Sequence, residues 1–78
     1  MAKKRVYITP KLDLHGVKHS EVEVMVENFV IFSKQLPVHI ITGQSEVMIE
    51  IVTGLLDSHG FIYEVGDFFN KGYIRVIR

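Results

Sequence analysis

Two stretches of this chain carry the apolar rhythm of a buried helix face, and each follows a short run with the character of a strand. In the first, Val22, Met25, Val26, Phe29, Val30 and Ser33 recur at intervals of three and four, so one side of a helix faces a core. In the second, Val47, Met48, Ile51, Val52, Leu55 and Leu56 do the same. Lys11 to Leu14 precedes the first stretch, and the β-branched run Val38-His39-Ile40-Ile41-Thr42 precedes the second. Connections of this length join parallel strands, and such crossovers are almost always right-handed. Both helices therefore fall on one face of the sheet. Phe61 to Val65 reads as a third strand. Asn70-Lys71-Gly72 carries hairpin chemistry, with Gly66 to Phe69 lengthening the connection. Tyr73 to Ile77 closes the pattern, with Ile74 and Val76 on one face and Tyr73, Arg75 and Ile77 on the other. The expected fold is an α/β two-layer sandwich, β-α-β-α-β-β.

Local signals set the boundaries. Ser20 followed by Glu23 matches a capping box and predicts a helix start there. Pro37 stops that helix, Ser45 is a candidate N-cap for the next, and His59-Gly60 reads as its end. Gly54, inside the second helix, costs about 1 kcal/mol against alanine and suggests close packing. Residues 1–10 read as an arm, in which Val6, Tyr7 and Ile8 could add an edge strand before Pro10 interrupts. The main domain spans 11–78. Val24, Ile31 and Phe32 fall off the first helix's buried stripe, and this surplus leaves a homodimer open as one arrangement.

The stretch with most chemistry is Leu12-Asp13-Leu14-His15-Gly16. Its alternation sends the leucines to one face of a strand and the acid and imidazole to the other. Asp13 and His15 then lie about 6–7 Å apart. That spacing suits a carboxylate that orients an imidazole, or one that shares a metal with it. It equally suits a strand with a polar outer face and a glycine turn. Gly16 lets the backbone turn or approach a ligand.

LDLHG, followed by an amphipathic helix and a strand ending in Ile41-Thr42-Gly43, resembles the Smr (small MutS-related) domain family over Lys11 to Arg78. The resemblance implies a mixed four-stranded sheet whose last strand runs antiparallel. It also implies action on DNA or RNA, in several members as an endonuclease, with Asp13 and His15 in the positions tied to cleavage. The family's second motif is usually H/T-G-x-G. Here Thr42-Gly43-Gln44-Ser45 puts serine where the second glycine stands.

Parallel strands end at the same edge, so His15-Gly16 and the Thr42–Ser45 turn should be neighbours there, beside two helix N-termini. His15 is the candidate general base or acid, and Asp13 its orienter or a ligand for Mg²⁺ or Mn²⁺. Gly16, Lys18, Thr42, Gly43, Gln44 and Ser45 are the candidate phosphate contacts. Ser45 could bond a phosphate as a helix cap, or it could close the site. His19 and His39 read more simply as a solvent-facing and a strand histidine, and His59 as a helix-terminal one. Tyr7, Tyr63 and Tyr73 could stack on bases, although strand tyrosines are commonly packing residues.

Composition narrows the alternatives. Seventy-eight residues allow one domain with a modest core. With no cysteine, disulfides and thiolate metal sites are excluded. No long apolar run follows Met1-Ala2-Lys3-Lys4-Arg5, so a secretory leader or membrane span is not expected and a cytoplasmic site is. Nine basic residues balance nine acidic ones, whereas nucleic-acid binders usually carry a basic surplus. The distribution answers this in part. Lys3, Lys4, Arg5, Lys11 and Lys18 lie around the motif, while Glu21, Glu23, Glu27, Glu46, Glu50 and Asp57 fall on the two helices. A non-catalytic nucleic-acid-binding module and a protein-interaction module stay open beside the nuclease reading.

Overall fold

The computed structural model describes residues 9–66 and 72–78. The arm's Val6 to Ile8 and the turn residues Asn70 and Lys71 lie outside them. Six elements follow in order: β1 (Lys11–Asp13), α1 (His19–Ile31), β2 (Val38–Ile41), α2 (Glu46–Ser58), β3 (Tyr63–Val65) and β4 (Tyr73–Val76). The sheet runs β1-β2-β4-β3. β1 pairs parallel with β2, and β4 pairs antiparallel with both β2 and β3. β4 alone therefore opposes the other three strands, as the resemblance implied.

The core follows from alternation in the central strands. Val38 and Ile40 of β2 stand opposite Val76 and Ile74 of β4, and all four are fully buried. Val22, Val26 and Val30 of α1, with Met48, Val52 and Leu56 of α2, pack on that surface together with Leu14. Truncating one such side chain typically costs about 2–5 kcal/mol. A domain's whole stability is only about 5–15 kcal/mol, so Ile40→Ala would remove a large share of it.

The helix ends differ from expectation in instructive ways. α1 begins at His19 with Lys18 as N-cap, and no side chain caps it. Ser20 already lies in the first turn, so the Ser20–Glu23 capping box does not form. The turn after Leu14 and a bond from Glu21 N–H to Lys18 O bring the chain into helix earlier than that box requires. At α2, Ser45 Oγ accepts Met48 N–H at 3.2 Å, as expected of an N-cap. Its buried stripe centres on Met48, Val52 and Leu56, with Ile49, Ile51 and Leu55 on the flanks. Val47 falls at the edge of that stripe and is 52% exposed.

α2 closes with Gly60 N–H on Asp57 O and Phe61 N–H on Leu56 O, a Schellman arrangement. Phe61 is thereby committed to the helix end, and β3 starts at Tyr63. Gly54 has open space around the position of a Cβ, so close packing does not explain it. Val24, Ile31 and Phe32 are exposed. Glu27 Oε2 and His59 Nε2, 2.8 Å apart, link the two helices. Among the described residues no helix is long and apolar enough to cross a membrane.

Candidate nucleic-acid site at the sheet rim

β1 and β2 end side by side, held there by Leu14 N–H on Ile41 O at 2.8 Å. Beyond β1 the chain reverses at once. Val17 N–H returns to Leu14 O at 3.0 Å, and Gly16 takes φ +78. This has the form of a type II turn, whose third position requires a residue tolerant of positive φ. His15 occupies the exposed corner. Asp13 Oδ1 accepts the backbone N–H of His15 at 2.9 Å. The carboxylate thus fixes the turn that carries the imidazole, where the spacing had suggested a bond to the ring itself.

Beyond β2 the chain also turns, through Gly43 at φ +69. The amides of Thr42 and Gly43 both donate to Gly72 O at 2.9 Å. Thr42 is 3% exposed, and its hydroxyl donates to Gly43 O at 2.9 Å. As folded, the hydroxyl of Thr42 and the amides of Thr42 and Gly43 fasten the bend, and these amides can meet a phosphate only by leaving Gly72. The two bends touch: His15 Cδ2 lies 3.7 Å from where a Cβ on Gly43 would stand. Gly16, Lys18, Gln44 and Ser45 are exposed on the same two loops. Ser45 accepts from Met48, and a hydroxyl that accepts keeps its hydrogen for donation.

The rim's fit to a divalent cation can be tested from its donors. Mg²⁺ and Mn²⁺ favour several oxygen ligands in octahedral array. Among the described residues no three His, Cys, Asp or Glu side chains converge, and one Asp13 oxygen is held by His15.

A second feature adjoins the rim on the sheet face opposite the helices. Lys11, His39, Arg75 and Glu64 stand in one row across the four strands, and Asp13, Ile41 and Tyr73 in the next. The rings of His39 and Tyr73 lie 5.1 Å apart, tilted by 45°. Arg75 pairs with Glu64 at 3.1 Å. A cavity of about 340 Å³ is lined by Lys11, His39, Ile41, Gly72 and Tyr73. Burial, then the charges of Lys11 and Arg75, hold the His39 imidazole below its usual pKa of 6.5. The sequence singled out His39 and Tyr73 separately but not as a pair, because that needs β4 beside β2. Of the remaining rings, His19 opens α1 and is exposed. Tyr63 donates to Asp57 Oδ1 at 2.9 Å, and burial, then Asp57, raises its pKa above 10.

No family model matches the chain, and no curated protein matches it. Among solved structures, the solution structure of the SMR domain of NEDD4-binding protein 2 is similar, with a TM-score of 0.58. The match covers 97% of this chain and 92% of that one at 20% identity. The chain has the fold of an SMR domain.

Proposed function

We propose that this domain acts on nucleic acid at the rim where the two bends meet, as an endonuclease that nicks DNA or RNA by hydrolysing a phosphodiester bond. The observation that carries the reading is the contact of His15 with the Gly43 bend, next to Asp13. An imidazole can take or give a proton near neutral pH. His15 would take the proton of an attacking water as the new P–O bond forms, and the departing sugar oxygen would draw its proton from solvent. Asp13 would hold His15 in place through the turn. Lys18, Gln44, Ser45, the backbone at Gly16 and the amides of Glu46 and Val47 that precede the Ser45-capped Met48 are the candidate phosphate contacts. Thr42 and Gly43 would support them by shaping the bend.

The test is nicking of plasmid and cutting of RNA by wild type, Asp13→Ala and His15→Ala, with and without chelator. Loss of a general base typically costs about 10²–10⁴ in rate. Cleavage unchanged in both variants would remove the catalytic assignment.

A second reading is a binding module without chemistry. The commitment of the Thr42 and Gly43 amides to Gly72, and serine at position 45, favour it. It requires salt-sensitive retention of oligonucleotides with no cutting in any divalent metal.

A further inference from the structure

We propose that the cavity on the sheet face opposite the helices receives one unpaired nucleobase, so that the domain selects single-stranded over duplex nucleic acid. The inference rests on the reading that the rim handles nucleic acid, and it names the form of the substrate.

The lining has the chemistry of a base and its backbone. The rings of His39 and Tyr73 lie against each other, centroids 5.1 Å apart and tilted by 45°, and form one aromatic platform, with Ile41 adding apolar surface beside it. Among the described lining residues, Lys11 carries the charge. Arg75, in the neighbouring row position, is held by Glu64. Burial, then the charges of Lys11 and Arg75, lower the His39 pKa and so favour the neutral ring as a stacking face. A cavity of about 340 Å³ sits at the small end of ligand pockets, which run about 300–1,000 Å³. It suits a single splayed base. Bases paired in a duplex keep their faces stacked on one another, so an aromatic platform reaches them only when a nucleotide is unpaired.

Position and field agree with this occupant. Lys11 and Asp13 lie two residues apart on one strand and one face, about 7 Å by strand geometry. Gly72 lines the cavity while its carbonyl holds the Thr42–Gly43 bend. A base in the cavity therefore leaves its phosphate beside the rim. α1 and α2 together carry Glu21, Glu23, Glu27, Glu46, Glu50 and Asp57 and no lysine or arginine. A polyanion is repelled from that layer and directed to the opposite face.

The experiment is fluorescence anisotropy of labelled single-stranded DNA, single-stranded RNA and the matching duplexes, titrated with the full chain and with His39→Ala and His39→Phe. Single strands should bind roughly ten-fold or more tightly than duplexes. His39→Ala should lose roughly ten-fold on single strands, about 1.4 kcal/mol, within the range for one stacked base. His39→Phe should keep the affinity, since a ring remains. The chain has no tryptophan, so quenching of tyrosine emission by an unlabelled strand gives an independent reading of stacking. Equal affinity for single strands and duplexes, with His39→Ala unchanged, overturns this inference and leaves the nucleic-acid reading standing. No binding of any oligonucleotide overturns both.

Discussion

The imidazole of His15 lies against Gly43, with Cδ2 3.7 Å from the place of a Cβ there. The two residues come from separate strand ends, and the parallel pairing of β1 with β2 brings them together. Gly43 supplies the positive φ that the bend needs, while a Cβ there would meet the ring only at ordinary contact distance. Mutation can therefore test the backbone requirement without displacing the ring.

Gly43→Ala should destabilise through the backbone and leave the ring in place. An L-residue in the left-handed region costs about 1–2 kcal/mol, and each kcal/mol moves Tm by roughly 4–8 °C in a domain this small. The added methyl meets His15 at an ordinary contact distance. A thermal melt should show the loss, while the His15 ring resonances keep their positions. A melt identical to wild type would show that the bend is not held at positive φ.

Asp13 serves the turn through Oδ1, and an amide oxygen can accept the same bond. Asp13→Asn should therefore leave stability within about 0.5 kcal/mol, as for most surface changes, while Asp13→Ala loses about 0.5–1.5 kcal/mol. If the carboxylate's charge also serves cleavage, Asp13→Asn lowers the rate as far as Asp13→Ala does. Urea denaturation and a nicking assay on both variants separate the two effects. Full activity in Asp13→Asn would assign the residue to the turn alone.

What could be read in advance depended on how local the signal was. The alternation of Val38, Ile40, Ile74 and Val76, and the stripes through Val22, Val26, Val30 and Met48, Val52, Leu56, are period signals, and burial followed them. The meeting of His15 with Gly43 followed from crossover length and parallel pairing. Asp13 was harder, because a carboxylate two residues before an imidazole can bond its ring or its amide, and spacing does not distinguish them. The insertion of β4 between β2 and β3 has no local signature. The Gly72 anchor, the His39–Tyr73 pair and the cavity between the strands all depend on it. The Ser20–Glu23 box matched its motif yet lay inside the helix, since the Gly16 turn governs where α1 starts.

Gly54 offers a gain in stability. It sits in α2 with open space where a Cβ would stand, and its φ is not positive. Alanine is favoured over glycine in a helix by about 1 kcal/mol, through a less flexible unfolded chain. Gly54→Ala should raise Tm by roughly 4–8 °C with oligonucleotide binding unchanged. A lowered Tm would reveal a packing constraint at that position.

His39 makes stability depend on pH in a defined direction. Burial and the nearby charges of Lys11 and Arg75 lower its pKa in the folded state below 6.5. Above 6.5 the ring is neutral in both folded and unfolded chains, and its share of stability is whole. As the pH falls through 6.5 toward the lowered folded value, the unfolded chain binds the proton first, so unfolding becomes easier. Below the folded value the ring is charged in both states and the loss is complete. Urea midpoints taken from neutral pH down to about pH 5 should therefore fall more steeply for wild type than for His39→Phe, which cannot titrate. The two curves should run parallel above 6.5 and diverge beneath it. An NMR titration of the His39 ring should place its midpoint below the usual value, and a midpoint at or above 6.5 would mean that neither burial nor the charges of Lys11 and Arg75 disfavour the protonated ring.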